Sequence, residues 1–180
     1  MLLKILQTVP DKRRSQARQY DLPHVLLFSV LAIASGADSY RKIDDFIAEH
    51  FEKLKKYFKL KWKKPPAYTS IRIIIAGVNS KELEKAFRKY SQKIAKLGSR
   101  KYNFISLDGK TLRGSFDNFE NKKAIQIFSA FLEKKKIILA HEEIENCKTN
   151  EIPRAQKLIK ELGLTKCVFT GDALHCQKKL

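Results

Sequence analysis

The chain is short of the residues that would staple it, anchor it or send it out of the cell. Its three cysteines, Cys147, Cys167 and Cys176, are odd in number and contain no C-x-x-C pair. Without an export signal beside them they read as ordinary thiols rather than a disulfide framework. Zinc held by Cys167, His175 and Cys176 would need a paired ligand spacing that is missing. Long apolar runs are absent too. The most apolar window, "LPHVLLFSVLAIA" at 22–34, is 13 residues long and carries His24 and Ser29, whereas a bilayer span needs about 20, so it reads as a buried helix. The start, "MLLKILQTVPDKRRSQ", places its basic cluster after the apolar residues and offers no small-residue cleavage site, the reverse of a signal peptide. The chain is therefore expected in the cytoplasm and off the membrane. No internal repeat or low-complexity segment is present.

Acidic residues are scarce relative to basic ones: 19 Asp+Glu stand against 37 Lys+Arg, for a net charge of +18 and a pI near 9.9. The excess runs along the whole chain, which favours a polyanionic partner, usually nucleic acid. Ribosomal and membrane-surface proteins share that composition. With 180 residues and 43% hydrophobic content, the chain can bury a real core in one or two domains.

The first 98 residues carry helical periodicity. Asp21 stands where it would cap a helix with Pro23 in its first turn, and Gly36 where it would end. Ser39 is expected to cap one helix over "SYRKIDDFIAEHFEKLKKYF", with Ile43, Phe46, Ile47, Phe51, Leu54, Tyr57 and Phe58 on its inner face. The following basic loop, "KLKWKKPPAYT" at 59–69, has two readings. Lys61, Lys63 and Lys64 could lie on phosphates with the Trp62 ring on a base or sugar, or the loop is a solvated linker with Trp62 tucked into the core. The segment "TSIRIIIAG" at 69–77 has two readings, since three successive isoleucines favour a strand by propensity while the flanking helices favour a short helix, which is the reading preferred. Another starts at Asn79 or Ser80, with Leu83, Phe87, Tyr90, Ile94 and Leu97 on one face and Gly98 at its stop. Four helices would form a small N-terminal bundle over 1–98.

Past Gly98 the period changes. "YNFISLD" (102–108), "KAIQIFSAFLE" (123–133) and "KKIILAHEEIE" (135–145) read as strands, the last two forming a hairpin. Thr149 or Asn150 would cap a helix over "EIPRAQKLIKELG", with Ile152, Ala155, Leu158, Ile159 and Leu162 inward and Gly163 at its end. "KCVFTGD" at 166–172 follows as a strand. The order predicts antiparallel strands first, then a crossover helix that makes the last strand parallel to a neighbour. The expected fold class is α+β, with 99–180 as the second domain.

The stretch "NFISLDGKTLRGS" at 103–115 carries the chemistry. Asp108–Gly109 is a strong signal for a tight turn, and Asp108 is also a carboxylate at the end of a strand, as is Asp172. Ligands collect beyond the carboxyl ends of strands in sheets with crossovers. Two carboxylates brought together there repel unless a cation shares them. Mg²⁺, or Mn²⁺ in its place, suits oxygen ligands, and a pair of ions about 4 Å apart can serve both oxygens of a phosphodiester displacement. Basic outside and acidic inside is the pattern of a metal-dependent nuclease.

Four blocks make this specific. "DKRRSQARQYDLPHVLLFSVLAIASGADSYRKIDDF", "SLDGKTLRGS", "CKTNEIP" and "TGDALHCQKK" resemble, in order and spacing, the successive blocks of the ISAs1 family of bacterial insertion-sequence transposases, also called H-repeat-associated proteins. The resemblance covers essentially the whole chain. It implies a DDE transposase: a helical N-terminal domain, then an incomplete ribonuclease-H-like mixed sheet with a crossover helix. Asp108 and Asp172 match the first and second catalytic carboxylates, both as Mg²⁺ ligands, and double-stranded DNA at element ends and targets is the implied substrate. Lys110 and Arg113 would hold the DNA backbone near them or be plain surface charge. Asn150 and Glu151 are accounted for by helix capping, and His175 reads as structural. The family's third carboxylate, usually a glutamate, belongs on a helix well downstream of the second aspartate, and the sequence departs from that pattern in ending eight residues after Asp172 with no acidic residue among them. The chain is therefore expected to be a truncated transposase, inactive alone, with one sheet face exposed and prone to self-association. A DNA-binding module that has lost catalysis is the competing reading. A basic ribosome-associated protein would explain the charge and leave the aspartates unexplained.

Overall fold

The computed structural model describes residues 1–95, 102–112, 125–144 and 151–171. Two compact units divide between Ala86 and Phe87, twelve residues ahead of the boundary at 98 that the change of period suggests.

The first unit is helical: α1 (Leu2–Leu6), α2 (Leu22–Ala34), α3 (Tyr40–Glu49), α4 (Phe51–Phe58), α5 (Tyr68–Ala76) and the first turns of α6 (Ser80–Ala95). These are more and shorter helices than the four that periodicity suggests. The expected single helix over 39–58 breaks at His50, whose φ of −98° and ψ of 7° leave the helical range. Ser39 does cap its first half, accepting from the Lys42 amide at 3.3 Å. After the break, α4 turns Phe51 fully inward, with Leu54 and Phe58 half-buried. Tyr57, six residues past Phe51 and so about 120° around the helix, is 81% exposed rather than inward. Lys59 ends α4 in the left-handed region at φ 53°, and the Leu60 amide donates back to the Lys55 carbonyl at 3.0 Å. This is the closure glycine usually provides at a helix C-terminus, made here by a lysine.

The core of this unit gathers on α2. Val25 and Phe28 are fully buried, and Phe28 meets Phe58 and Trp62 with ring centroids 5.4 and 5.7 Å away. Ser29, the one polar member of this buried side, satisfies its hydroxyl on the Val25 carbonyl at 2.8 Å. The helix is not buried all round, since Val30, Leu31 and Ile33 remain exposed. Gly36, at φ 97°, lies just past its end as expected. Ahead of α2 the basic cluster has a structural use. Arg13 grips Asp11 and also donates to the Tyr20 carbonyl at 2.8 Å, while Arg18 donates to the Arg13 and Asp11 carbonyls, each at 2.8 Å. The Arg13 guanidinium holds the Asp11 carboxyl below its ordinary range.

The second unit is built on a four-stranded sheet: β1 (Asn103–Thr111), β2 (Gln126–Leu132), β3 (Ile137–Ile144) and β4 (Cys167–Thr170), with α7 (Glu151–Leu162) between β3 and β4. The strand order is β3-β2-β1-β4, antiparallel except for the β1–β4 pair, which is parallel. That topology is what the element order predicts for a crossover helix. Ile105, Leu107, Phe128, Ala130, Leu132 and Leu139 face the core against Ala155, Leu158 and Leu162 of α7. The end of α6 joins this core through Ala95, and Arg88 pairs with Glu161 at 2.6 Å, drawing that carboxyl below its ordinary range. Gly163, at φ 57°, follows α7 as its sequence position suggests. Leu97, Gly98, Thr149 and Asn150, and the side chain of Ile152, lie outside the described residues.

Candidate nucleic-acid and metal sites

Around Asp108 the structure corrects the sequence reading. The strand does not stop at Asp108–Gly109: β1 runs on to Thr111, with Asp108 opposite Ser129, Gly109 opposite Phe128 and Thr111 opposite Gln126. A turn preference is a local matter of φ, and here the ladder with β2 overrides it. Gly109 contributes no side chain where the fully buried Phe128 ring lies across from it.

The alternation of the strand nonetheless points the Asp108 carboxylate outward. Ile105 and Leu107 fill the core, so Phe104, Ser106, Asp108 and Lys110 share the opposite face. Along that face the character changes in rows. Phe104 is paired with Val168, both exposed and apolar; Ser106 is paired with Thr170, whose hydroxyl donates to the Ser106 hydroxyl at 3.3 Å. Asp108 lies two residues beyond Ser106, past the last residue that β4 pairs. It is exposed and, among the described residues, accepts no side-chain hydrogen bond. Lys110 is exposed on the same face, two residues further.

This is the carboxyl end of two adjacent parallel strands, a place where sheets with crossovers bind ligands. An exposed carboxylate there has the oxygen-donor chemistry that Mg²⁺ prefers, and Mg²⁺ commonly takes only one or two carboxylates, filling its remaining positions with water and phosphate oxygens. Among the described residues no three His, Cys, Asp or Glu side chains gather at one point. Asp172, Arg113, His175, Cys147 and Cys176 lie outside the described residues. Cys167, half-buried on β4, has its thiol pushed up by burial, the opposite of a thiolate primed for metal.

In the first unit, the two readings of the basic loop are decided for Trp62. Its ring is 3% exposed and sits edge-on to Tyr20, His24 and Phe28; its indole N–H donates to Asp21 Oδ1 at 2.9 Å. It is a core residue and cannot stack on a base. Asp21 occupies the N-cap position of α2 as expected but makes no side-chain cap there. Its other oxygen pairs with His24 instead. Leu60 and Trp62 go inward while Lys61, Lys63 and Lys64 are exposed. Leu60 and Trp62 thus anchor the loop while its lysines face solvent. Among the described residues none of these three lysines has an ion-pair partner.

No helix among the described residues is long and apolar enough to cross a membrane.

The family model described as DDE_Tnp_1-associated matches residues 3–91. The "Putative transposase YncI" of Escherichia coli strain K12 is 34% identical over 179 residues, which are 99% of this chain and 71% of that protein. Its namesake in Escherichia coli O157:H7 is also 34% identical over 179 residues, here 45% of the relative's length. The "H repeat-associated putative transposase YhhI" of strain K12 is 26% identical over 179 residues, 46% of its length. This chain therefore spans about half the length of the last two. No solved structure matches it.

Proposed function

Because the chain belongs to the family of H-repeat-associated DDE transposases, we propose that it carries the first two carboxylates of a DDE site, on a ribonuclease-H-like sheet, behind a DNA-binding helical unit. Asp108 is the first and Asp172 the second. The observation that supports this most directly is the outward placement of Asp108 at the carboxyl end of β1, beside parallel β4. Thr170 is paired with Ser106, and Asp172 follows Thr170 by two residues, just as Asp108 follows Ser106. The mixed sheet with one strand added in parallel after a crossover helix supports the ribonuclease-H-like reading.

In this proposal Asp108 and Asp172 hold Mg²⁺ or Mn²⁺. The ion would supply Lewis-acid stabilisation of a phosphodiester's oxygens during hydrolysis at an element end and strand transfer to a target. The chain's own basic side chains bind and orient the DNA: Lys110 on the face of Asp108, Arg113 by its place in the same motif, and Lys61, Lys63 and Lys64 on the loop pinned by Trp62. Backbone contacts of this kind position the duplex without reading its sequence. Isothermal titration of the chain with Mn²⁺, compared with Asp108→Ala and Asp172→Ala, tests the metal site. Loss of the ion in each variant is expected; unchanged affinity in both would overturn it.

The loop lysines favour a second reading, a DNA-binding module without catalysis. That reading predicts DNA affinity with a steep salt dependence and no Mn²⁺ binding that depends on either aspartate.

A further inference from the structure

Among the described residues of the helical unit, the aromatic ring most open to solvent is Tyr57, 81% exposed against 38% for Tyr68 and 37% for Tyr40, while Trp62 is buried. We propose that Tyr57, framed by Lys53 and Lys56, is a stacking platform for an unpaired base of single-stranded DNA, with Lys61, Lys63 and Lys64 along the neighbouring backbone. The proposal rests on the DNA-binding reading of this unit and adds to it the state of the strand.

Three observations carry it. First, the exposure of Tyr57 is a built feature of α4. Phe51, Leu54 and Phe58 turn inward, so Lys53, Lys56 and Tyr57, at i, i+3 and i+4, form a contiguous outer stripe. Second, the ring is 81% exposed yet held: it stands edge-on to Phe58 at 4.9 Å between centroids, and Phe58 is itself packed on Phe28 at 5.4 Å. A ring braced on the core loses little freedom when a base stacks on it. Third, charge complementarity selects the partner. Residues 53–64 contain seven lysines and no acid, and among the described residues none of those lysines has an ion-pair partner. Lys55 lies over the Phe51 ring, and the exposed aromatic interleaved with the other ammonium groups matches alternating bases and phosphates. A duplex keeps its base faces stacked on each other, so only an unpaired base can use the ring. The lysines serve either form.

The test is fluorescence anisotropy of the 180-residue chain with a labelled single strand and with a duplex of the same length, over a series of salt concentrations. Tyr57→Ala should weaken single-strand binding about tenfold, the scale of one lost base stack, and change duplex binding less than twofold. Tyr57→Phe should restore the single-strand affinity. Lys53→Gln with Lys56→Gln should weaken both forms and flatten the salt slope. Equal loss on both forms in Tyr57→Ala, no loss on either, or tighter binding of an RNA strand than of DNA would overturn the platform while leaving the DNA-binding reading intact. If the unsubstituted chain bound neither form, that underlying reading would itself be overturned.

Discussion

The indole of Trp62 donates to the Asp21 carboxylate at 2.9 Å across 41 positions of sequence, tying the basic loop to the first turn of α2. Replacing Trp62 with Phe keeps a ring in the cluster with Tyr20 and Phe28 and removes the donor to Asp21 Oδ1, while Oδ2 keeps His24. A hydrogen bond to a charged group contributes about 2 kcal/mol, so Trp62→Phe should lower the urea midpoint by a corresponding amount. Since Trp62 is buried, the folded variant should bind DNA within about twofold of the unsubstituted chain, a small free-energy change at 1.4 kcal/mol per tenfold. A loss of binding as large as that of Tyr57→Ala would show that the buried ring takes part in recognition after all.

The Asp11–Arg13 pair sets a pH dependence. The Asp11 carboxyl is held below its ordinary value, first by the hydrogen bond from Arg13. Its folded pKa is therefore lower than its unfolded one, and by linkage the stabilisation is complete above the unfolded value and is lost as pH falls through the folded one. Both side chains keep some exposure, 16% for Arg13 and 19% for Asp11, which screens the pair and keeps the effect modest. Asp11→Asn should lower stability at neutral pH by about 1–2 kcal/mol and remove part of the acid limb of the stability profile. Thermal melts between pH 7 and pH 3 check this: parallel profiles for the two proteins would contradict the assignment.

What could be read from the sequence was what repeats along it. Apolar spacing locates α6, start and stop residues bracket α2, α5 is favoured only by its helical neighbours against the strand propensity of three isoleucines, and the order of elements predicts the parallel seam between β1 and β4, because a right-handed crossover leaves few other arrangements. The break at His50 was hidden, since the apolar positions keep helical spacing on both sides of it. Tyr57 was misplaced for the same reason: continuing the stripe across the break puts it inward. At Asp108 the local turn signal competed with pairing to residues that lie some twenty positions away along the chain, and only the partner strand decides such a contest. The fate of Trp62 hung on Asp21, a partner that no local pattern names.

The corrected register separates two neighbours on β1. Leu107 is buried in the core of the sheet, and Asp108 next to it is exposed and outward. Leu107→Ala should cost about 2–5 kcal/mol through lost transfer energy and the cavity left behind. Asp108→Ala should change stability by no more than about 0.5 kcal/mol, as surface substitutions do. Chemical denaturation of the two variants compares them directly. Reversed magnitudes would mean that the strand is shifted by one residue, which would turn every side chain to the other face.

The catalytic reading depends on how much negative charge surrounds the ion. Strand cleavage by this chemistry needs carboxylates enough to fix the metals against a polyanionic substrate, and between Asp172 and Leu180 the sequence has no further acid. In the proposed site, Asp108 and Asp172 would leave a divalent ion with most of its ligands as water, which would permit weak binding and would not by itself supply the fixed in-line geometry of a two-metal displacement. These 180 residues are thus expected to bind Mn²⁺ through Asp108 and to leave an element-end duplex uncut in the presence of Mg²⁺, as read by gel analysis of nicked product. Mg²⁺-dependent nicking by the purified chain that disappears in Asp108→Ala would overturn that expectation, and would require a third ligand from elsewhere in the chain. Nicking that persists in Asp108→Ala would point instead to a contaminating nuclease. The variant therefore belongs in every assay.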